Sequence, residues 1–146
     1  MPLSTPEREA FLAEPHIGSL AIARPEQHRA PLVVPIWYGY QPGGDLWVLT
    51  GPDSVKARLM ATAGRFSLLA ERVSPTVRYV SVEGPILSTR ATTDEEHRAM
   101  AERYLPPAAV RTYLEAAEKD IGPQITVRMR PEHWFSTDLG SLVEEG

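Results

Sequence analysis

The segment Thr50–Leu59, TGPDSVKARL, sets a serine and two cations, Lys56 and Arg58, where a helix begins. Asp53 or Ser54 is a good N-cap, so the first free backbone N–H groups point outward there and carry partial positive charge. Cations near that end of the helix dipole are locally unfavourable unless an anion is shared between them. The Ser54 hydroxyl adds a donor. The group reads as a phosphate cradle of Ser54, Lys56, Arg58 and free amides. Residues two apart on a helix point to opposite sides, so both cations reach one phosphate only at the helix end. A solvated helix carrying two incidental cations is the alternative reading of the same residues.

Aromatic residues flank this segment. Trp37, Tyr38 and Tyr40 lie on the apolar run before it, and Trp47 on the run that leads into it. Strand alternation puts Trp37 on one face and Tyr38 and Tyr40 on the other. Aromatic surface beside a phosphate cradle suits a flat, ring-containing phosphorylated ligand. The same rings equally suit a core or a subunit interface. Tyr38, Tyr40, Tyr79 and Arg78 are candidate proton donors or substrate anchors, each with a structural alternative. His16, His28, His97 and His133 are scattered without metal-ligand spacing, so no metal site is expected. There is no GxSxG elbow and no GxGxxG after a strand.

The elements that must position these groups are short. Ser4 with Glu7, or Thr5 with Pro6, opens a helix that buries Phe11 and Leu12. Strands are predicted over Ile17–Arg24, Leu32–Tyr40, Leu46–Thr50, Arg65–Glu71, Val77–Leu87 and Ile125–Arg130. Pro35 marks an edge or a bulge, Gly84-Pro85 a bulge or bend, and Pro42-Gly43-Gly44-Asp45 a hairpin. A helix from about Ser54 to Thr62 carries Val55 and Leu59 as its apolar stripe. Thr93 and Glu96 form a second capping box, Pro106-Pro107 ends that helix, and another resumes over Ala108–Ala117 with Val110, Leu114 and Ala117. Trp134 sits in a tail. Six strands joined by hairpins imply an antiparallel sheet that must close on itself, a small β-barrel with peripheral helices.

The 146 residues fit one domain, 1–146, and 42% apolar residues suit a packed core. The formal net charge of −4 argues against general nucleic-acid binding. With no cysteines, disulfides and thiolate metal sites are excluded. No apolar run reaches the roughly 20 residues of a membrane helix. The N-terminus, MPLSTPEREAFL, lacks a basic region before its apolar residues. A cytoplasmic protein is the expectation.

The succession PIWYGY, PGGD, LWVLTGPDSVKARL and RYVSVEGPI, with ITVRMRPEHW near the end, resembles the pyridoxamine 5′-phosphate oxidase-like split β-barrel superfamily. Within it, the chain is most similar to the flavin/deazaflavin oxidoreductases. The resemblance implies a homodimer with a split barrel in each subunit and two cofactor sites at the interface. It implies FMN or the deazaflavin coenzyme F420 as cofactor, with haem or another tetrapyrrole in a few relatives. It places Ser54, Lys56 and Arg58 on the cofactor phosphate with Thr50 nearby, and Pro35, Ile36 and Trp37 along the ring system. The chain departs from many relatives at Leu59, where they carry asparagine. Three functions follow as expectations. The leading one is hydride transfer between reduced F420 and an unsaturated organic substrate. The alternatives are an FMN-dependent oxidase or reductase, and a non-catalytic carrier of F420, FMN or a tetrapyrrole.

Overall fold

A computed structural model describes residues 1–140. Helix α1 (Thr5–Ala13) opens on the Ser4–Glu7 capping box and buries Phe11 and Leu12. Five strands and a helix follow: β1 (Gly18–Ile22), β2 (Leu32–Ile36), β3 (Tyr38–Tyr40), β4 (Leu46–Thr50), α2 (Val55–Ala63) and β5 (Arg65–Arg72). The long strand β6 (Arg78–Ala91) leads to α3 (Asp94–Tyr104) and α4 (Pro107–Ala116). A π-helical turn over Ala117–Ile121 precedes β7 (Ile125–Met129) and β8 (His133–Asp138).

All pairings are antiparallel, in the order β2-β1-β5-β6-β7-β4-β3, with β8 also on β6. The curled sheet wraps one core of Leu20, Ile22, Tyr38, Tyr40, Leu46, Val48, Phe66, Leu68, Val80, Val82, Val127 and Met129. This is the mainly β, split-barrel architecture expected, with eight strands in place of six. One extra strand arises because Leu32–Tyr40 is broken at Trp37. The other is β8, which takes up the tail around Trp134 by pairing with Arg78–Glu83.

The hairpin from β3 to β4 turns through Gln41–Gly44, where the Gly44 N–H donates to the Gln41 carbonyl at 2.9 Å and Gly43 has φ 80. Strand β6 is the hub. Its first half lies between β5 and β8, and its second half passes to β7. The bulge is not at Gly84-Pro85 as expected: the register shifts between Ile86 and Ser88. Gly84 serves a different need, because a Cβ there would collide with the Arg130 carbonyl oxygen where β7 gives way to β8.

The chain ends are tied by Asp138. Its Oδ2 accepts from Arg78 Nε at 2.7 Å and from Thr76 Oγ1 at 3.2 Å, and its Oδ1 accepts from the Gly140 N–H at 2.7 Å. The Met1 carbonyl accepts from the Asp138 N–H at 3.0 Å. The Gly140 N–H and then the Arg78 guanidinium hold the Asp138 carboxyl below its ordinary value. A carboxyl whose folded value is depressed stabilises the fold above its unfolded value, near pH 4, and loses that contribution as pH falls through the folded value. Asp138→Asn should therefore lower the urea midpoint at pH 7, with the gap to wild type narrowing as pH drops below 4. A gap independent of pH would show that the charge at Asp138 does not stabilise the fold.

Candidate functional site

Strand β4 delivers the chain to the start of α2. Thr50, its last residue, points inward and is buried, an uncommon place for a hydroxyl unless it is paired. Its Oγ1 lies 2.8 Å from Ser54 Oγ. Ser54 is the N-cap, and its Oγ accepts from the Ala57 N–H at 3.0 Å. The helix closes on Gly64 in the left-handed conformation, φ 71. Between the two caps, the N–H groups of Val55 and Lys56 have no acceptor among the described residues. Either hydroxyl can donate in that pair, and when Thr50 is the donor the Ser54 proton can point outward.

The cations flank this start on different sides. Lys56 is half-buried and Arg58 is exposed, as the two-residue spacing requires. Among the described residues neither forms an ion pair. The apolar face of α2 differs from the expected Val55–Leu59 stripe. Ala57 and Met60 are buried, Leu59 packs against the core edge, and Val55 is 46% exposed. The helix is oriented by where β4 ends and β5 begins, and that turns the Ala57–Met60 side inward.

Pro35, Ile36 and Trp37 lie where the chain leaves one sheet edge for the other. Strand β2 pairs only with β1, and β3 only with β4, so Pro35 costs no ladder bond on its free side. Tyr38 pairs with Val48. The start of β3 therefore lies beside the end of β4 that leads through Thr50 to α2.

Trp37 does not stand alone. Its ring stacks on Tyr104 at 4.8 Å and 17° and tilts against Tyr113 at 5.6 Å. Tyr38 and Tyr40 share one face, as alternation predicted, and that face is the core. Burial pushes the Tyr38 hydroxyl well above its ordinary value, and it donates to the Leu12 carbonyl at 2.6 Å. Burial also raises Tyr40. Arg78 is committed to Asp138, and Tyr79 stacks on Phe135 at 6.1 Å on the outer sheet face. Sequence reasoning missed Tyr104 and Tyr113, which reach Trp37 from a helical segment distant in the chain. The sole signal was aromatic residues on helices otherwise rich in polar side chains.

Three of the concavities on the described chain are well formed. One of ≈ 470 Å³ lies outside β4, β6 and β7, lined by Trp47, Arg90, Arg128 and the first turn of α3. Another of ≈ 580 Å³ lies among α3, α4 and Gly122–Gln124, and a third surrounds Asp138. None is lined by Pro35–Trp37 or by Ser54–Arg58. Among the described residues no group of three or more His, Asp or Glu could hold a metal ion. No described helix is long and apolar enough to cross a membrane.

The family model described as pyridoxamine 5′-phosphate oxidase matches residues 4–138. Among solved structures, a conserved hypothetical protein of Mycobacterium tuberculosis is 24% identical with a TM-score of 0.72, covering 97% of this chain and 88% of its own. A protein described as an F420 reductase is 18% identical with a TM-score of 0.62, covering 87% and 94%. An FAD-binding protein of Mesorhizobium loti is 20% identical with a TM-score of 0.61, covering 94% and 95%. At these identities the likeness is one of fold. No curated protein is significantly similar to the chain.

Ser54 carries a helix cap whatever else it does. Ser54→Ala should cost about 1 kcal/mol in urea unfolding, the usual loss for an N-cap hydroxyl. Unchanged stability would mean that the Ala57 N–H finds another acceptor and that the hydroxyl does not organise the helix start.

Proposed function

The chain belongs to the pyridoxamine 5′-phosphate oxidase family, and on that premise we propose an oxidoreductase that moves a hydride between reduced coenzyme F420 and an unsaturated organic substrate. The observation that carries this reading is the start of α2. Two amides without acceptors and two cations without ion pairs among the described residues surround a serine whose hydroxyl is held by a buried threonine. That donor set fits a phosphate: oriented N–H groups, a hydroxyl and positive charge, at a helix end that already favours an anion.

Ser54, Lys56 and the Val55 and Lys56 amides would hold the phosphate, with Thr50 fixing the Ser54 rotamer. Pro35, Ile36 and Trp37 would lie along the ring system, at the other side of the same strand end. F420, when bound, supplies the hydride chemistry. The chain's own residues bind, orient and exclude water. Arg58 is exposed and stands two residues from Lys56, so it would join the same phosphate only at the helix end. The choice of F420 over FMN rests on the likeness of the TGPDSVKARL segment to the deazaflavin-dependent branch of the family.

A non-catalytic carrier is the second reading, and one observation favours it. Tyr38 and Tyr40 are committed to the core, Arg78 to Asp138 and Tyr79 to its stack on Phe135, so none of these four is left free as a proton donor. Turnover separates the two readings.

The reading includes a single domain over residues 1–146, a cytoplasmic location and a homodimer. The outer face of β6 and β8 supports the dimer: Phe135 is 68% exposed beside Tyr79. Exposed aromatic surface there suits burial against a second copy, and that copy would wall the cofactor surface left open on one chain.

Paired equilibrium titrations with F420 and FMN test the proposal. The wild-type protein should prefer F420, and Lys56→Ala should weaken binding by about 1.5–3 kcal/mol, the worth of a charged hydrogen bond. Tight FMN binding without F420 binding would replace the cofactor, and an unchanged affinity in the variant would remove the site.

A further inference from the structure

The crossover between β2 and β3 is held from outside the barrel. Tyr104, the last residue of α3, places its hydroxyl against three backbone groups. It accepts from the Tyr38 N–H at 3.0 Å and donates to the His16 carbonyl at 2.8 Å, with the Tyr38 carbonyl 3.1 Å away. Its ring lies flat on Trp37. The neighbouring Arg103 fixes the same helix end, donating to the Ala13 carbonyl at 2.8 Å and the Glu14 carbonyl at 2.7 Å. Its guanidinium sits 4.7 Å from the centre of the Tyr38 ring.

These contacts do more than pack a helix. Strand β3 is three residues long and lies at the end of the sheet, so its free edge has backbone groups with no strand to pair them. The Tyr104 hydroxyl satisfies that edge at Tyr38, and the ring fixes the side chain of the residue before. Trp37 is the one residue between β2 and β3. A three-residue strand supplies few contacts of its own to decide the path of Pro35–Trp37. The Tyr104 hydroxyl and ring supply the missing ones.

We propose that Tyr104 is a positioning residue for the cofactor ring: it sets the backbone of Pro35–Trp37, against which the ring system lies. The inference rests on the cofactor reading above. Preorganisation of a binding wall is worth affinity because the ordering is completed before the ligand arrives. Tyr104→Phe removes the hydroxyl and keeps the stacked ring, so the fold has little reason to fail.

Two measurements on the full chain test this. In the protein without cofactor, amide hydrogen exchange at Tyr38 should accelerate in Tyr104→Phe, with β1 and β5 amides unchanged. In titrations with F420 and FMN, the affinity of the bound cofactor should fall about tenfold in Tyr104→Phe. Unaltered exchange at Tyr38 would overturn the clasp itself. Wild-type cofactor affinity in Tyr104→Phe, with Lys56→Ala weakened, would overturn the positioning role and leave the cofactor site standing. Wild-type affinity in both variants would overturn the site, and the positioning role with it.

Discussion

The two ends of the main strand order belong to one stretch of chain. Strands β2 and β3 end the strand order on opposite sides, yet only Trp37 separates them in sequence. The sheet must therefore curl until its ends meet, because a single residue spans only a few ångströms. That covalent constraint encloses the core, leaves Pro35 on an edge where its missing N–H costs nothing, and brings the Pro35–Trp37 backbone to the end of β4. Strand β4 then passes directly into the capped start of α2. On the proposed reading, ring wall and phosphate cradle come near each other because the barrel closes where it does.

Much of this was legible from local patterns. The capping boxes Ser4–Glu7 and Thr93–Glu96 and the cap at Ser54 use contacts within four residues, so the residues involved announce themselves. The Pro42–Gly43 hairpin is local for the same reason. Alternation correctly put Tyr38 and Tyr40 on one face, but which face is the core was not legible. The break at Trp37 was not legible, because an apolar, β-branched run reads as one strand whether or not it changes partner. Strand β8 was missed because His133, Ser136 and Asp138 are polar, and its pairing partner lies some fifty residues earlier on β6.

The candidate site divides along the same line. The cap at Ser54 was legible from its residue type, and the phosphate role of Ser54, Lys56 and Arg58 is the proposed reading of the same residues. Their setting was not legible. That Thr50 is buried and bonded to Ser54 depends on the barrel interior, and which face of α2 packs inward depends on its two anchors. The stacking of Trp37 on Tyr104 joins residues that no periodicity connects. Tertiary contacts of this kind are decided by topology, and a single sequence carries no local trace of them.

The account's central claim is that one end of β4 gathers a phosphate and a ring into adjacent places. A crystal structure of the protein grown with F420 tests it most directly. The account predicts the phosphate within hydrogen-bonding distance of Ser54, Lys56 and the first amides of α2, with the ring system against Pro35–Trp37. A phosphate held by any other part of the chain, or a ring lodged in the concavity beside Trp47 and Arg128, would contradict it.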